Sequence, residues 1–234
     1  LDMDGVLFRG DAAIEGSAAA VRDLQNHGVG VVCLTNNARG TPEDCERKLK
    51  GMGYDLRASN ILTSGLATAR YLMAQGTAPE IHVVGSAVLR QTLLDAGAIE
   101  SDAPDYVVVG VDLDMKISDL TPAIRHLTGG AELIASNGDV VIPTSAGPEP
   151  ETGAVIAFLE AATGCVATVI GKPQPEIFEG AIDLLGVARD EIVMIGDTLA
   201  TDIVGANAAG LCSILVASGN SKPAETGSHE PTAR

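Results

Sequence analysis

Ile192-Val193-Met194-Ile195-Gly196-Asp197-Thr198-Leu199-Ala200-Thr201-Asp202 is the stretch whose reading decides the fold. A short apolar run ends in Gly-Asp, and a helical pattern over 202–209 follows. Such a run, bounded by a turn, reads as a buried strand with an acid at its carboxyl end. The same grammar extends outward. Strands are expected at 29–34, 61–63, 81–84, 106–111, 133–135, 140–142, 166–170 and 212–216. Helices are expected at 17–26, 66–73, 87–95, 117–127, 155–162 and 176–185. One more opens at Thr41-Pro42, with Thr as N-cap and Pro at the first helical position, and ends near Gly51 or Gly53. Strands alternating with helices predict an α/β fold with parallel sheets.

Composition limits the function. The chain has 234 residues, enough for one large domain or two modest ones. Aromatic content is 3% with no Trp, so the core must come from Val, Ile, Leu and Ala. A formal net charge of −16 repels nucleic acid and anionic membranes, and neither is expected as a partner. It repels a phosphorylated substrate too, so a phosphate site would need a local Lys or a metal ion. No apolar run approaches the ~20 residues of a membrane span. The four cysteines form no C-x-x-C pair; Cys33 and Cys212 sit in apolar runs and read as buried thiols, which suits a reducing, cytoplasmic setting. The chain opens on Leu1-Asp2-Met3-Asp4-Gly5 with almost no strand ahead of its acids, so residues are expected to be missing before it. The polar tail from Ser218 to Arg234 is expected to be disordered or cut before a last element.

Four features sit at predicted strand ends, where open α/β sheets bind ligands. Asp2 and Asp4 are separated by one residue and followed by Gly5, which permits a sharp exit. One carboxylate can attack phosphorus and the other can move protons, although an isolated D-x-D-G is equally a solvated turn. Thr35 and Asn36 in Leu34-Thr35-Asn36-Asn37 offer a hydroxyl and N–H groups to phosphate oxygens, or simply make a strand-to-helix turn. Lys172 in Gly171-Lys172-Pro173 can neutralise phosphate, or can be a surface Lys; the spacing of a P-loop is absent. Asp197 with Asp2 would suit Mg²⁺, which takes carboxylates, water and phosphate oxygens. Asp202 would support them, or serve only as a helix N-terminal acid.

Together and in this order, D-M-D-G-V-L, L-T-N-N, G-K-P and G-D-T-L-A-T-D-I resemble the haloacid dehalogenase superfamily. The likeness is to the nitrophenylphosphatase-like subclass IIA. Arg9-Gly10, Ile14 to Gly16, Leu62-Thr63-Ser64 and Val109-Gly110-Val111-Asp112 strengthen it. The resemblance implies a Rossmann-like parallel-sheet core, residues 1–75 and 166–234, with an inserted α/β cap over 76–165. It implies a Mg²⁺-dependent phosphatase of a small-molecule phosphate ester, with Asp2 as nucleophile and Asp4 as general acid/base. Thr35, Asn36 and Lys172 would bind phosphate. Asp2, the Asp4 main-chain carbonyl and Asp197 would hold the metal, with Asp202 supporting. A homodimer paired through the caps is compatible with it.

Other readings keep the same residues: a phosphotransferase or mutase on sugar phosphates, a catalytically impaired phosphate-binding protein, or a receiver-like phospho-aspartate switch. The D-x-D at the first strand and the long insert stand against the switch. Where relatives carry a P-G-x-G turn, Pro148-Glu149-Pro150-Glu151 places two added acids, Glu149 and Glu151, expected mainly as exposed loop.

Overall fold

The structure is a computed structural model, described here for residues 1–144, 147–219 and 221. The tail read as disordered lies, beyond those residues, outside this description. In chain order the elements are β1 (Phe8–Arg9), β2 (Ala12–Ala13), α1 (Ser17–Asn26), β3 (Cys33–Thr35), α2 (Pro42–Gly51), β4 (Ile61–Thr63) and α3 (Ser64–Gln75). Then come β5 (Glu80–Val84), α4 (Ala87–Asp95), β6 (Ile99–Glu100), β7 (Tyr106–Val109), α5 (Thr121–Thr128), β8 (Glu132–Ala135), β9 (Val141–Thr144), β10 (Gly147–Pro150) and α6 (Thr152–Thr163). The chain continues through β11 (Thr168–Val169), α7 (Pro175–Leu185), β12 (Val193–Gly196), α8 (Val204–Ala208) and β13 (Cys212–Leu215).

Two parallel systems carry the fold. The first is a five-stranded sheet ordered β11-β8-β7-β5-β6. Its central strand explains the predicted run at 106–111, because Val107, Val108 and Val109 are all fully buried. Alternation sends Ile81, Val83, Val108 and Ile134 to one face, into a cluster with Leu62, Leu72, Ile177 and Phe178. Val84, Val107, Val109 and Leu133 face the other way, onto Ala123 and Leu127 of α5 and Val155 and Leu159 of α6. Residues 168–169, expected among the core strands, pair instead with Ile134 and Ala135 of β8. Lys172 therefore follows the sheet of the inserted segment.

The second system is assembled around the first two residues. Leu34 N–H donates to the Leu1 carbonyl, and Asp2 N–H donates to the Ile195 carbonyl. Asp2 forms a parallel bridge to Leu34. Leu1–Asp2 thus lies between β3 and β12; its bridge to β3 and the pairings of β3 with β4 and of β12 with β13 are parallel. The carboxyl ends of these strands deliver Asp2, Thr35 and Asp197 to one edge.

Several expectations need adjustment. The helix read over 117–127 is a 3₁₀ turn at Ile117–Leu120 followed by α5, which starts where Pro122 fits a first turn. Cys212 is exposed: among the described residues β13 pairs only with β12, and its alternation turns that side chain outward. Glu151 is not exposed loop. It is buried, caps α6 by accepting from Thr152 N–H, and lies 3.6 Å from Arg39. The expected Thr41 cap is present as a capping box with Asp44. Among the described residues no helix is long and apolar enough to cross a membrane.

Phe178 is the largest fully buried side chain and touches the cluster shared by both sheets. Phe178→Ala is expected to cost about 3–5 kcal/mol, measured as a lower urea midpoint with an unchanged slope.

Candidate active site

Lys172 organises the site. Its ammonium is almost wholly buried and donates to Asp2 Oδ1 at 2.5 Å and to Asp202 Oδ1 at 2.6 Å. Asp202 hangs from a single π-helical turn, Leu199–Ile203, in place of the α-helix start expected there. That turn aims its carboxylate inward, and Oδ2 accepts from Asp197 N–H at 3.1 Å and Thr198 N–H at 3.0 Å. One acid thus fixes both Lys172 and the loop bearing Asp197.

Asp2, Asp197 and Asp202 each offer a carboxylate oxygen within 4.8 Å of the others, and all three residues are buried. Buried carboxylates need a partner of opposite charge, and Lys172 supplies one to Asp2 and Asp202. A hard divalent cation fits this all-oxygen donor set. The backbone is shaped to approach it: a Cβ at Gly5, where φ is +83°, would lie 2.4 Å from Asp197 Oδ2. Any larger residue would displace that acid.

Burial pushes the Asp2 carboxyl up to about 7, against the pull of the Lys172 charge, with Asp202 adding to the rise. Burial disfavours the Lys172 ammonium, but Asp2 and Asp202 together hold its pKa above the ordinary lysine value. Asp4 lies at the exposed mouth. Partial desolvation of its carboxyl raises its pKa, with Lys48 opposing and Asp197 reinforcing. A raised carboxyl keeps its proton longer, as a general acid requires.

The structure brings Asp2, Lys172, Asp197 and Asp202 together, with Asp4 two residues beyond Asp2. Thr35 follows at the end of β3 and is half-buried, its Oγ1 accepting from Asn37 N–H at 3.2 Å. The side-chain amide of Asn36 is bonded to Lys172 and Asp139 within the protein. Sequence reading passed over Asn137 and Asp139. Their signal was present: a short strand ending in Ser-Asn-Gly-Asp repeats the strand-then-Asn pattern of Leu34 to Asn37.

Comparison with known proteins gives the family. The haloacid dehalogenase-like hydrolase model matches residues 1–99, and a second model for such hydrolases matches residues 169–233. The dihydroxyacetone phosphatase of Corynebacterium glutamicum is 39% identical over 225 residues, 96% of this chain and 82% of that protein. The chain belongs to the haloacid dehalogenase-like hydrolase family. The acid sugar phosphatase of Staphylococcus haemolyticus is 34% identical, over 94% of this chain and 84% of its own length. The 4-nitrophenylphosphatase of Thermotoga maritima superposes with a TM-score of 0.93 at 31% identity, covering 98% of this chain and 89% of that one. These neighbours are subclass IIA phosphatases, and the enzyme class is phosphomonoester hydrolysis of small phosphoesters. Phosphatases of this family generally need a divalent metal, and an aspartate cluster able to hold one is present.

Cation binding should be pH-dependent. The Asp2 carboxyl is raised to about 7, so below that pH a proton competes with the cation for it. The rise in melting temperature on adding Mg²⁺ is expected to be larger at pH 8 than at pH 6. Equal rises at both would contradict the assignment.

Proposed function

We propose that the protein hydrolyses a small sugar or polyol phosphate with Mg²⁺ as its metal, through a phosphoryl group carried on Asp2. The observation that carries this reading is the buried Lys172, bonded at once to Asp2 and Asp202 at a sheet's carboxyl edge. Against a net charge of −16, it is the local cation that a phosphate dianion requires. The names of the relatives from Corynebacterium and Staphylococcus support the substrate class.

An Asp2 carboxylate oxygen attacks phosphorus, and the bond from phosphorus to the leaving oxygen breaks. Asp4 gives its proton to the departing alkoxide, so the alcohol leaves neutral. Asp4, now ionised, takes a proton from a water that attacks the same phosphorus. The bond from phosphorus to the Asp2 oxygen then breaks, and inorganic phosphate is released. Lys172 holds the phosphoryl oxygens and Asp2 in register, and Thr35 adds a hydroxyl. Asp2, Asp197 and the Asp4 carbonyl would hold Mg²⁺, which neutralises charge on the phosphoryl group. Asp202 supports Lys172 and the Asp197 loop.

Residues 1–75 and 166–234, apart from β11, which pairs with the inserted sheet, would act as the catalytic core and 76–165 as a cap that excludes water from the phospho-enzyme. Pairing of two chains through their caps and residence in the cytoplasm belong to the same reading.

The test is phosphate release from a panel of phosphate esters, with Mg²⁺ and with EDTA. Triose and hexose phosphates are expected to turn over only with metal and to yield alcohol and phosphate in equal amounts. Asp2→Asn should fall to background, and Asp4→Asn should lose about 10²–10⁴-fold. Turnover in EDTA, full activity in Asp2→Asn, or transfer of phosphate to a second alcohol in place of water would each sink the proposal.

A further inference from the structure

The Asn36 carboxamide makes bonds that phosphate binding does not need. Its Oδ1 accepts from Lys172 N–H at 2.8 Å. Its Nδ2 donates to the Lys172 carbonyl at 3.0 Å and to Asp139 Oδ2 at 3.0 Å. One side chain therefore brackets both backbone polar groups of the residue that carries the ammonium. Its own carbonyl is held by Ser64 Oγ at 2.7 Å and Asn137 Nδ2 at 2.9 Å. Gly171 closes the contact, because a Cβ there would lie 2.7 Å from both Asn36 Oδ1 and the Ser136 carbonyl.

A carboxamide has two faces of similar shape and opposite polarity. If Asn36 turned over, its NH₂ would meet Lys172 N–H, donor against donor, and the loop would shift. Asp139 prevents this. Ionised, it only accepts, so it tolerates Nδ2 and repels Oδ1. It is half-exposed, follows β8, and its own N–H is fixed by Asn137 Oδ1 at 3.0 Å. Asn137 in turn donates to Thr152 Oγ1 at 3.1 Å, beside Glu151 and its partner Arg39. The inserted segment thereby grips the loop that follows β3.

We propose that Asp139 is a positioning residue for phosphate-ester hydrolysis: through Asn36 it sets the place of Lys172 without touching the substrate. This rests on the reading of Lys172 as the phosphate-binding cation. Because it acts behind the phosphoryl site, its loss affects every ester alike, whatever the leaving group.

The experiment compares Asp139→Ala, Asp139→Asn, Asn36→Ala, the Asn36→Ala/Asp139→Ala pair and Lys172→Met. Each is assayed on p-nitrophenyl phosphate and dihydroxyacetone phosphate, with inhibition by inorganic phosphate. Asp139→Ala is expected to lose roughly 10–100-fold in kcat/KM, by one factor for both esters, with weaker phosphate inhibition. Asp139→Asn keeps an acceptor and should recover at least about tenfold over Asp139→Ala. The pair should be no worse than Asn36→Ala alone, since the two act in series. If Asp139→Ala does not fold, Asp139→Leu, similar in size and without an acceptor, replaces it. Unchanged activity, no recovery with Asn, additive losses, or losses that differ between the esters by more than about tenfold would overturn the proposal. Full activity in Lys172→Met would overturn it together with the role of Lys172. An inactive Lys172→Met beside a normal Asp139→Ala would overturn the positioning role alone.

Discussion

A lysine ammonium buried between two carboxylates is the interaction on which the rest depends. Lys172 reaches Asp2 and Asp202 at 2.5 and 2.6 Å in a place where an unpaired charge would be very costly. Each partner comes from a different part of the chain: Asp2 from the first residues, Asp202 from the turn after β12, Lys172 from the loop after β11. Removing one would strand the others. With Asp197, these carboxylates form a cluster of oxygen ligands that fits a divalent cation.

The two parallel systems exist, for function, to bring their carboxyl edges face to face. One delivers Asp2, Thr35 and Asp197, and the other delivers Lys172 and Asp139. Asn36 is where the edges meet, bonded to residues of both. The shared cluster of Leu62, Ile81, Val108, Ile134 and Phe178 holds the edges at a fixed separation. Packing of this density resists the ångström-scale drift that would uncouple Lys172 from Asp2.

Much of this was legible in the sequence, for reasons that differ by element. The strand after Ile192 and the helix after Thr41 were plain because a short apolar run ending in Gly-Asp and capping chemistry are local signals. Asp2, Lys172 and Asp197 were found because each stands at a strand end with Gly nearby, and Asp202 because it follows Asp197 at a predicted helix start. What stayed hidden depends on partners far along the chain. Membership of β11 in the sheet of β8 cannot be read from a two-residue strand. Exposure of Cys212 follows from its strand pairing, among the described residues, with β12 alone. Glu151 looked like loop because nothing local says that Arg39 lies opposite. The bonds of the Asn36 side-chain amide were hidden too, because its partners Asp139 and Lys172 lie far along the chain.

The central claim is that the phosphoryl group passes through Asp2. The most direct measurement mixes enzyme, Mg²⁺ and substrate, quenches in acid within milliseconds, and maps the trapped acyl phosphate by peptide mass spectrometry. The expected result is one phosphoryl increment on the peptide containing Asp2, formed before phosphate release reaches steady state and absent in Asp2→Asn. A turning-over enzyme with no adduct, or with the adduct on another residue, would contradict the claim.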